Sequence, residues 1–249
     1  HAYGETVTDR YASPEDWADA TSARLRGWGF NTVGSWSDHR LLSPRLAAAP
    51  ILYLAGSNWQ TGEISDWYDP AWEAGVVATV AETVTPFVGD PQILGWFLDN
   101  EIRWGPDWRG LDTMLQLYLA LDGAAPGKAA AVEMLLDTLG GVGGVNEALG
   151  TSYADEAAML ADMGGWEALD DGASGAADAL TTAWLARTAE RYFRVTTEAV
   201  RAVDPDHLLL GNREVAVLTR PEVYVAAAAR LDVISVNDYV FIEGVAAGT

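Results

Sequence analysis

The chain has 249 residues, 49% of them hydrophobic, with 25 Gly, 11 Trp and no Cys. That is core-forming material for one large domain or two, and it excludes disulfides and thiolate metal sites. Thirty-six Asp and Glu against 15 Lys and Arg give a formal net charge of −21; such a field repels nucleic acid and anionic lipid and favours a neutral or cationic ligand, or a high-salt setting.

Strand and helix patterns alternate along the chain, which predicts an α/β fold with a parallel sheet covered by helices. Ser13-Pro14-Glu15-Asp16 supplies an N-cap, a first-turn proline and early acids, and Trp17, Thr21, Leu25 and Trp28 follow at helical spacing until Gly29. Trp17, Trp28 and Trp72 lie on helix faces and read as core. Residues 30–36 are the next strand, with Asp38 and His39 in the loop behind it. Residues 50–55 form another, ending in Gly56-Ser-Asn-Trp59. A helix over 70–85 keeps Trp72, Val76, Val80 and Val84 on one face. Residues 93–101 then form a strand whose apolar run, Ile93, Leu94, Trp96, Phe97 and Leu98, predicts burial on both faces.

Residues 106–175 are too long for an ordinary connection between such elements. Leu111, Leu115, Tyr118 and Leu119 predict one helix and Val132, Leu135, Leu136 and Leu139 a second, with Gly140-Gly-Val-Gly-Gly144 breaking them. The segment reads as a helical insertion over the mouth of a site or as a structural buttress, and residues 170–178 as a surface loop. Leu185, Ala189, Tyr192, Thr196, Ala199 and Val203 mark one side of a long helix that Asp204-Pro-Asp206 ends. A strand over 207–213, an alanine-rich helix and a last strand over 231–237 complete the pattern. No stretch approaches the roughly 20 apolar residues that span a bilayer. His1 is not a natural start, so a signal peptide is neither seen nor excluded.

Chemistry concentrates after the strands. Asp99, Asn100 and Glu101 appear together at the end of an apolar strand, the position of catalytic acids in α/β barrels; the plain alternative is a surface loop that caps the next element. Trp36, Trp59, Trp104 and Tyr239 also follow strands, with Asp38, Asn58 and Asn237 near them. The apolar faces of a pyranose pack on indole and phenol rings while its hydroxyls bond to amides and carboxylates, so these residues are candidate sugar ligands, each aromatic having a core alternative. His1, His39 and His207 show no metal-ligand spacing, and no phosphate loop or nucleophile-elbow serine is present.

Arg26-Gly-Trp-Gly-Phe-Asn-Thr-Val-Gly-Ser-Trp-Ser-Asp38 and Gly95-Trp-Phe-Leu-Asp-Asn-Glu-Ile-Arg-Trp-Gly105 resemble the agarase-like glycoside hydrolases of family 50. Asp204-Pro-Asp-His-Leu-Leu-Leu-Gly211 and Asp232-Val-Ile-Ser-Val-Asn237 continue the pattern. Ala125-Pro-Gly-Lys128 and Val145-Asn-Glu-Ala-Leu-Gly-Thr-Ser-Tyr153 are similar to a segment found there and in the family 42 β-galactosidases. The resemblance implies a catalytic (β/α)8 TIM barrel over residues 1–249, incomplete at roughly strands two to six, with residues 106–175 inserted after the fourth strand. It also implies retaining cleavage of β-galactosidic bonds in a polysaccharide or oligosaccharide.

In that scheme Glu101 is the general acid/base, Asn100 grips the sugar's 2-hydroxyl, and Arg213 helps hold the site carboxylates. The nucleophile is a second Glu at the seventh strand, which strand counting puts beyond Thr249. Retaining hydrolysis needs two carboxyls about 5 to 5.5 Å apart and no metal or organic cofactor, so this piece alone is expected to be inactive. A cation near the nucleophile would keep it ionised while Glu101, in a drier pocket, keeps its proton. Glu214 is the rival second carboxylate; its plainer reading is a partner for Arg213 or a helix cap. Still open are another member of the clan (a β-galactosidase or β-glucanase) and a catalytically inactive carbohydrate-binding barrel. The expected partner is a carbohydrate, not nucleic acid or membrane. The oligomeric state is open, and the compartment would be secreted or periplasmic for a polysaccharide and cytoplasmic for an oligosaccharide.

Overall fold

The computed structural model describes residues 2–164, 166–170 and 175–239. Its elements run α1 (Ala2–Arg10), α2 (Pro14–Gly27), β1 (Thr32–Val33), α3 (His39–Leu42), β2 (Ala47–Ala48), α4 (Pro70–Val84), β3 (Gly95–Phe97), α5 (Met114–Leu119), α6 (Pro126–Leu139), α7 (Val142–Leu149), α8 (Glu156–Ala161), α9 (Ala176–Val203), β4 (Leu208–Gly211), β5 (Glu214–Val215), α10 (Pro221–Ala228) and β6 (Val236–Asn237).

The strands are short but lie side by side in chain order, all parallel. Thr32 pairs with Ala47. The extended chain after β2 meets β3 through the bridges Ala48 to Ile93 and Ile51 to Phe97. Gly95 pairs with Leu208, and Glu214 pairs with Val236. Sequential parallel neighbours joined through helices are what alternating strand and helix patterns dictate. Between Trp96 and Phe97 the register to β4 slips by one residue. Gly211 absorbs the slip at φ +80, where an added Cβ would come within 2.9 Å of Leu231.

One face of this sheet is packed and the other is not. Trp96, Leu98 and Leu209 join Val76, Val80 and Val84 of α4 and Ala189, Tyr192 and Val195 of α9 in a single buried cluster. Leu94 is 47% exposed and Phe97 is half-buried, and Val233 and Ile234, in the extended chain before β6, are exposed as well. The expectation that residues 93–98 are buried on both faces is therefore corrected: among the described residues, helices cover only one face. Trp72 is buried and Trp17 partly so, but Trp28, the residue that follows α2, is 67% exposed, so its reading as core is corrected.

Helices α5, α6 and α7 each pack against α9 rather than over the ends of the strands. The glycine run breaks the helical pattern as expected at its first two residues, Gly140 capping α6 in the left-handed conformation and Gly141 preceding α7, while Gly143 and Gly144 lie inside α7. Three side chains tie this layer together, one of them from the loop before α4. Asp66 accepts from the amide of Gly127 at 2.7 Å at the start of α6, a close approach that a side chain at Gly127 would block. Lys128, fully buried, donates to the carbonyls of Leu121, at 3.0 Å, and Asp162. Asn146 bonds both the amide and the carbonyl of Tyr153. Of the predicted surface loop over 170–178, residues 171–174 lie outside the described residues, as does His1. No described helix is long and apolar enough to cross a membrane.

Candidate active site

Three consecutive strand ends share an uncommon backbone. Tyr53, Glu101 and Arg213 have φ of 58, 51 and 53 degrees and are the non-glycine residues with positive φ among those described. Each such residue costs on the order of 1 kcal/mol or more and persists only where its surroundings over-determine it. All three line one cleft of about 430 Å3, together with Trp36, Ser57, Trp59, Asp99, Asn100, Asn237 and Tyr239. The turn at Glu101 is held from behind, where its amide donates to Asn212 O at 3.1 Å and its carbonyl accepts from Arg109 Nη2 at 3.0 Å.

The Glu101 carboxylate is gripped on both oxygens. Oε1 accepts from Asn237 Nδ2 at 2.7 Å and from the Tyr239 hydroxyl, and Oε2 accepts from Trp59 Nε1 at 3.1 Å. Burial pushes its pKa up, but the hydrogen bonds from Tyr239, Asn237 and Trp59 and the nearby Arg109 charge outweigh burial and leave it below the ordinary carboxylate value. Among the described residues, three donors aimed at the charged form thus favour the anion over the proton-holding Glu101 expected of a complete site. Arg213 does not touch it. The guanidinium stacks 4.6 Å from the Trp36 ring and donates to Ser35 Oγ at 3.3 Å and Asn237 Oδ1 at 3.4 Å.

A second polar layer lies beneath. Asp99 Oδ2 accepts from the amides of Leu54 at 2.9 Å and Ala55 at 2.7 Å, and from the Tyr192 hydroxyl of α9 at 2.7 Å. That hydroxyl also lies 3.1 Å from Asn212 Oδ1, and Asn212 Nδ2 donates to Glu214 Oε1 at 3.1 Å. Burial raises the Asp99 and Glu214 pKa values to about 7 each, against their hydrogen bonds. This network joins the ends of three strands to one helix and forms the rigid base on which Glu101 turns outward.

The sequence candidates divide accordingly. Trp36, Trp59, Asn100, Glu101, Arg213, Asn237 and Tyr239 meet in the cleft. Trp104 does not line it: 5% exposed, it stacks on Phe193 and donates to Glu214 Oε2 at 2.9 Å, so its core alternative is the one observed. Glu214 is 2% exposed and lies outside the cleft lining; its partners are Trp104, Asn212 and Thr219 rather than Arg213. Asp38 caps α3 through the Leu41 amide and borders a separate hollow beside Tyr11 and Trp17. Asn58 folds back on the amides of Gln60 and Thr61. Sequence reasoning missed Tyr53, whose hydroxyl accepts from Trp36 Nε1 at 2.5 Å, because residues 50–55 read as continuous strand with nothing to mark the turn. No three or more described His, Asp or Glu residues cluster as a metal site.

No family model matches the chain. It is 31% identical over 265 residues to β-agarase A of Vibrio sp. (strain JT0107), covering 95% of this chain and 25% of that protein. To β-agarase B of the same strain it is 27% identical over 252 residues, with the same coverages. Among solved structures it superposes on an agarase, AgWH50C, with TM-score 0.72 and 27% identity over 90% of this chain and 33% of that one. The chain therefore resembles agarases along nearly its whole length, while spanning about a quarter of the curated relatives it matches.

Proposed function

We propose that this chain is part of the catalytic barrel of a retaining, agarase-like glycoside hydrolase that cleaves β-galactosidic bonds, with Glu101 as its general acid/base. The observation that carries the reading is Glu101 itself: a strand-end carboxyl in a strained turn, facing a cleft walled by exposed Trp36, Trp59 and Tyr239. Five parallel segments in chain order are consistent with strands two to six of a (β/α)8 barrel, with residues 106–175 inserted after the fourth. The packing of α5 to α7 on α9 favours the buttress role for that insertion.

Retaining chemistry needs a nucleophile opposite the acid. Asp99 and Glu214 are unsuited to that role, being buried and committed to amides, Tyr192 and Trp104. The nucleophile is assigned to a carboxylate outside the described residues. Its negative charge beside Glu101, and a sugar displacing the Tyr239 and Trp59 donors, would each raise the Glu101 pKa toward that of a working acid. Asn100, whose Oδ1 accepts from Asn237 Nδ2 at 3.4 Å and which lines the cleft, is assigned to bond a substrate hydroxyl.

A binding-only reading of the same cleft draws on the anionic state of Glu101. One experiment separates the two. The full-length gene product that carries this chain is incubated with agarose and the anomeric configuration of the first product followed by NMR. Release of sugar with retained configuration supports the proposal; inverted product refutes the retaining mechanism, and binding without release leaves the binding-only reading.

A further inference from the structure

Beyond Trp59 the surface carries a second bare indole. Trp108 is 55% exposed, with its ring 6.2 Å from that of Trp59 and the two planes tilted by 56 degrees. An indole left in water forgoes one of the largest burial gains a side chain can make, and this one stands on a loop built to hold it still. Asp107 and Arg109, their side chains 5% and 3% exposed, pair through Nε at 2.9 Å and Nη2 at 2.5 Å. Arg109 then spans to the carbonyls of Glu101, at 3.0 Å, and Trp59, at 3.3 Å, while its guanidinium carbon lies 4.4 Å from the Trp108 ring.

Arg103 packs beneath the same loop, bonding Gly105 O and Asp112, and comes so close to Gly110 and Gly62 that a Cβ on either would fall within 2.8 Å of it. The exposed ring is thereby fastened to the backbone of the catalytic candidate. Asp107 neutralises Arg109, so the platform presents an apolar face without net charge.

We propose that Trp108 and Trp59 form an outer subsite that stacks a neutral pyranose ring, one unit of a glycan chain whose cleaved bond lies at Glu101. The inference rests on the carbohydrate reading of the cleft and extends it to a chain longer than the cleft itself accommodates. Two rigid aromatics at fixed separation suit successive rings of a stiff polymer better than a single small sugar.

The test is calorimetric titration of the full-length gene product, silenced by Glu101→Gln, with a neutral galactan disaccharide and its longer homologues. Affinity should rise with chain length, and Trp108→Ala should abolish that rise, a loss of roughly three- to tenfold on the longest chain, while leaving the disaccharide unaffected. Trp108→Phe, which keeps a smaller ring, should restore part of it. A rise that survives Trp108→Ala, or no rise at all, overturns the subsite and leaves the cleft reading intact; failure of every saccharide to bind overturns both.

Discussion

The Tyr192 hydroxyl lies 2.7 Å from Asp99 Oδ2, so a helix behind the sheet anchors the strand end from which Glu101 projects. Tyr192 is fully buried, and Asp99 is 2% exposed. Removing one partner of a buried bond leaves the other unsatisfied at a cost of about 1 to 3 kcal/mol. Tyr192→Phe is expected to lower unfolding free energy by that amount in denaturant titration, with no change in far-UV circular dichroism. A variant as stable as the parent would mean that the buried network does not support the site.

Asp99 and Glu214 also predict how stability responds to pH. Both bind a proton more tightly folded than unfolded, since burial raises each to about 7 from ordinary values near 4. Their contribution is present in full below pH 4 and is lost as pH rises through 7, on the order of 4 kcal/mol per group. Melting temperature should fall between pH 5 and pH 8. Asp99→Asn, which fixes a neutral side chain, should flatten that fall relative to the parent; an unchanged slope would show that Asp99 ionises freely in the folded protein.

Lys128 is the single lysine of the chain and is completely buried against two carbonyls. Burial lowers its pKa, against the pull of Asp162 and Asp122. Lys128→Ala leaves a cavity and two carbonyls without their donor, and thermal unfolding should report a loss of about 2 to 4 kcal/mol. A loss under 0.5 kcal/mol would remove the lysine from the architecture of the α5 to α8 layer.

Tyr239 donates to Glu101 Oε1, and that bond favours the anion. Tyr239→Phe should raise the Glu101 pKa and move the alkaline limb of the kcat/KM profile of the full-length gene product to higher pH. A limb that stays in place would dissociate Tyr239 from the ionisation of the acid.

The sequence disclosed the strand ends and left their geometry hidden. Apolar runs followed by Asn-Glu, Asn-Arg and Asn-Asp-Tyr marked where polar chemistry gathers, and the cleft forms there. Trp104 misled because position after a strand does not reveal which way an indole points; a buried carboxylate at Glu214 took its N–H. Tyr53 was invisible because a left-handed tyrosine carries no local signature. Motifs that carried the resemblance proved partly architectural. Asp204, for example, accepts from Trp96 Nε1 at 2.8 Å and lies 2.6 Å from His207 Nδ1, closing the joint between α9 and β4.

The central claim is that Glu101 transfers the proton, and replacing it by an isosteric amide tests this most directly. In the full-length gene product, Glu101→Gln should reduce kcat on agarose by about 100- to 10,000-fold while KM changes little, since Gln keeps the shape of the cleft but cannot give up a proton to the leaving oxygen. Turnover of unactivated glycan within a few-fold of the parent would contradict the account.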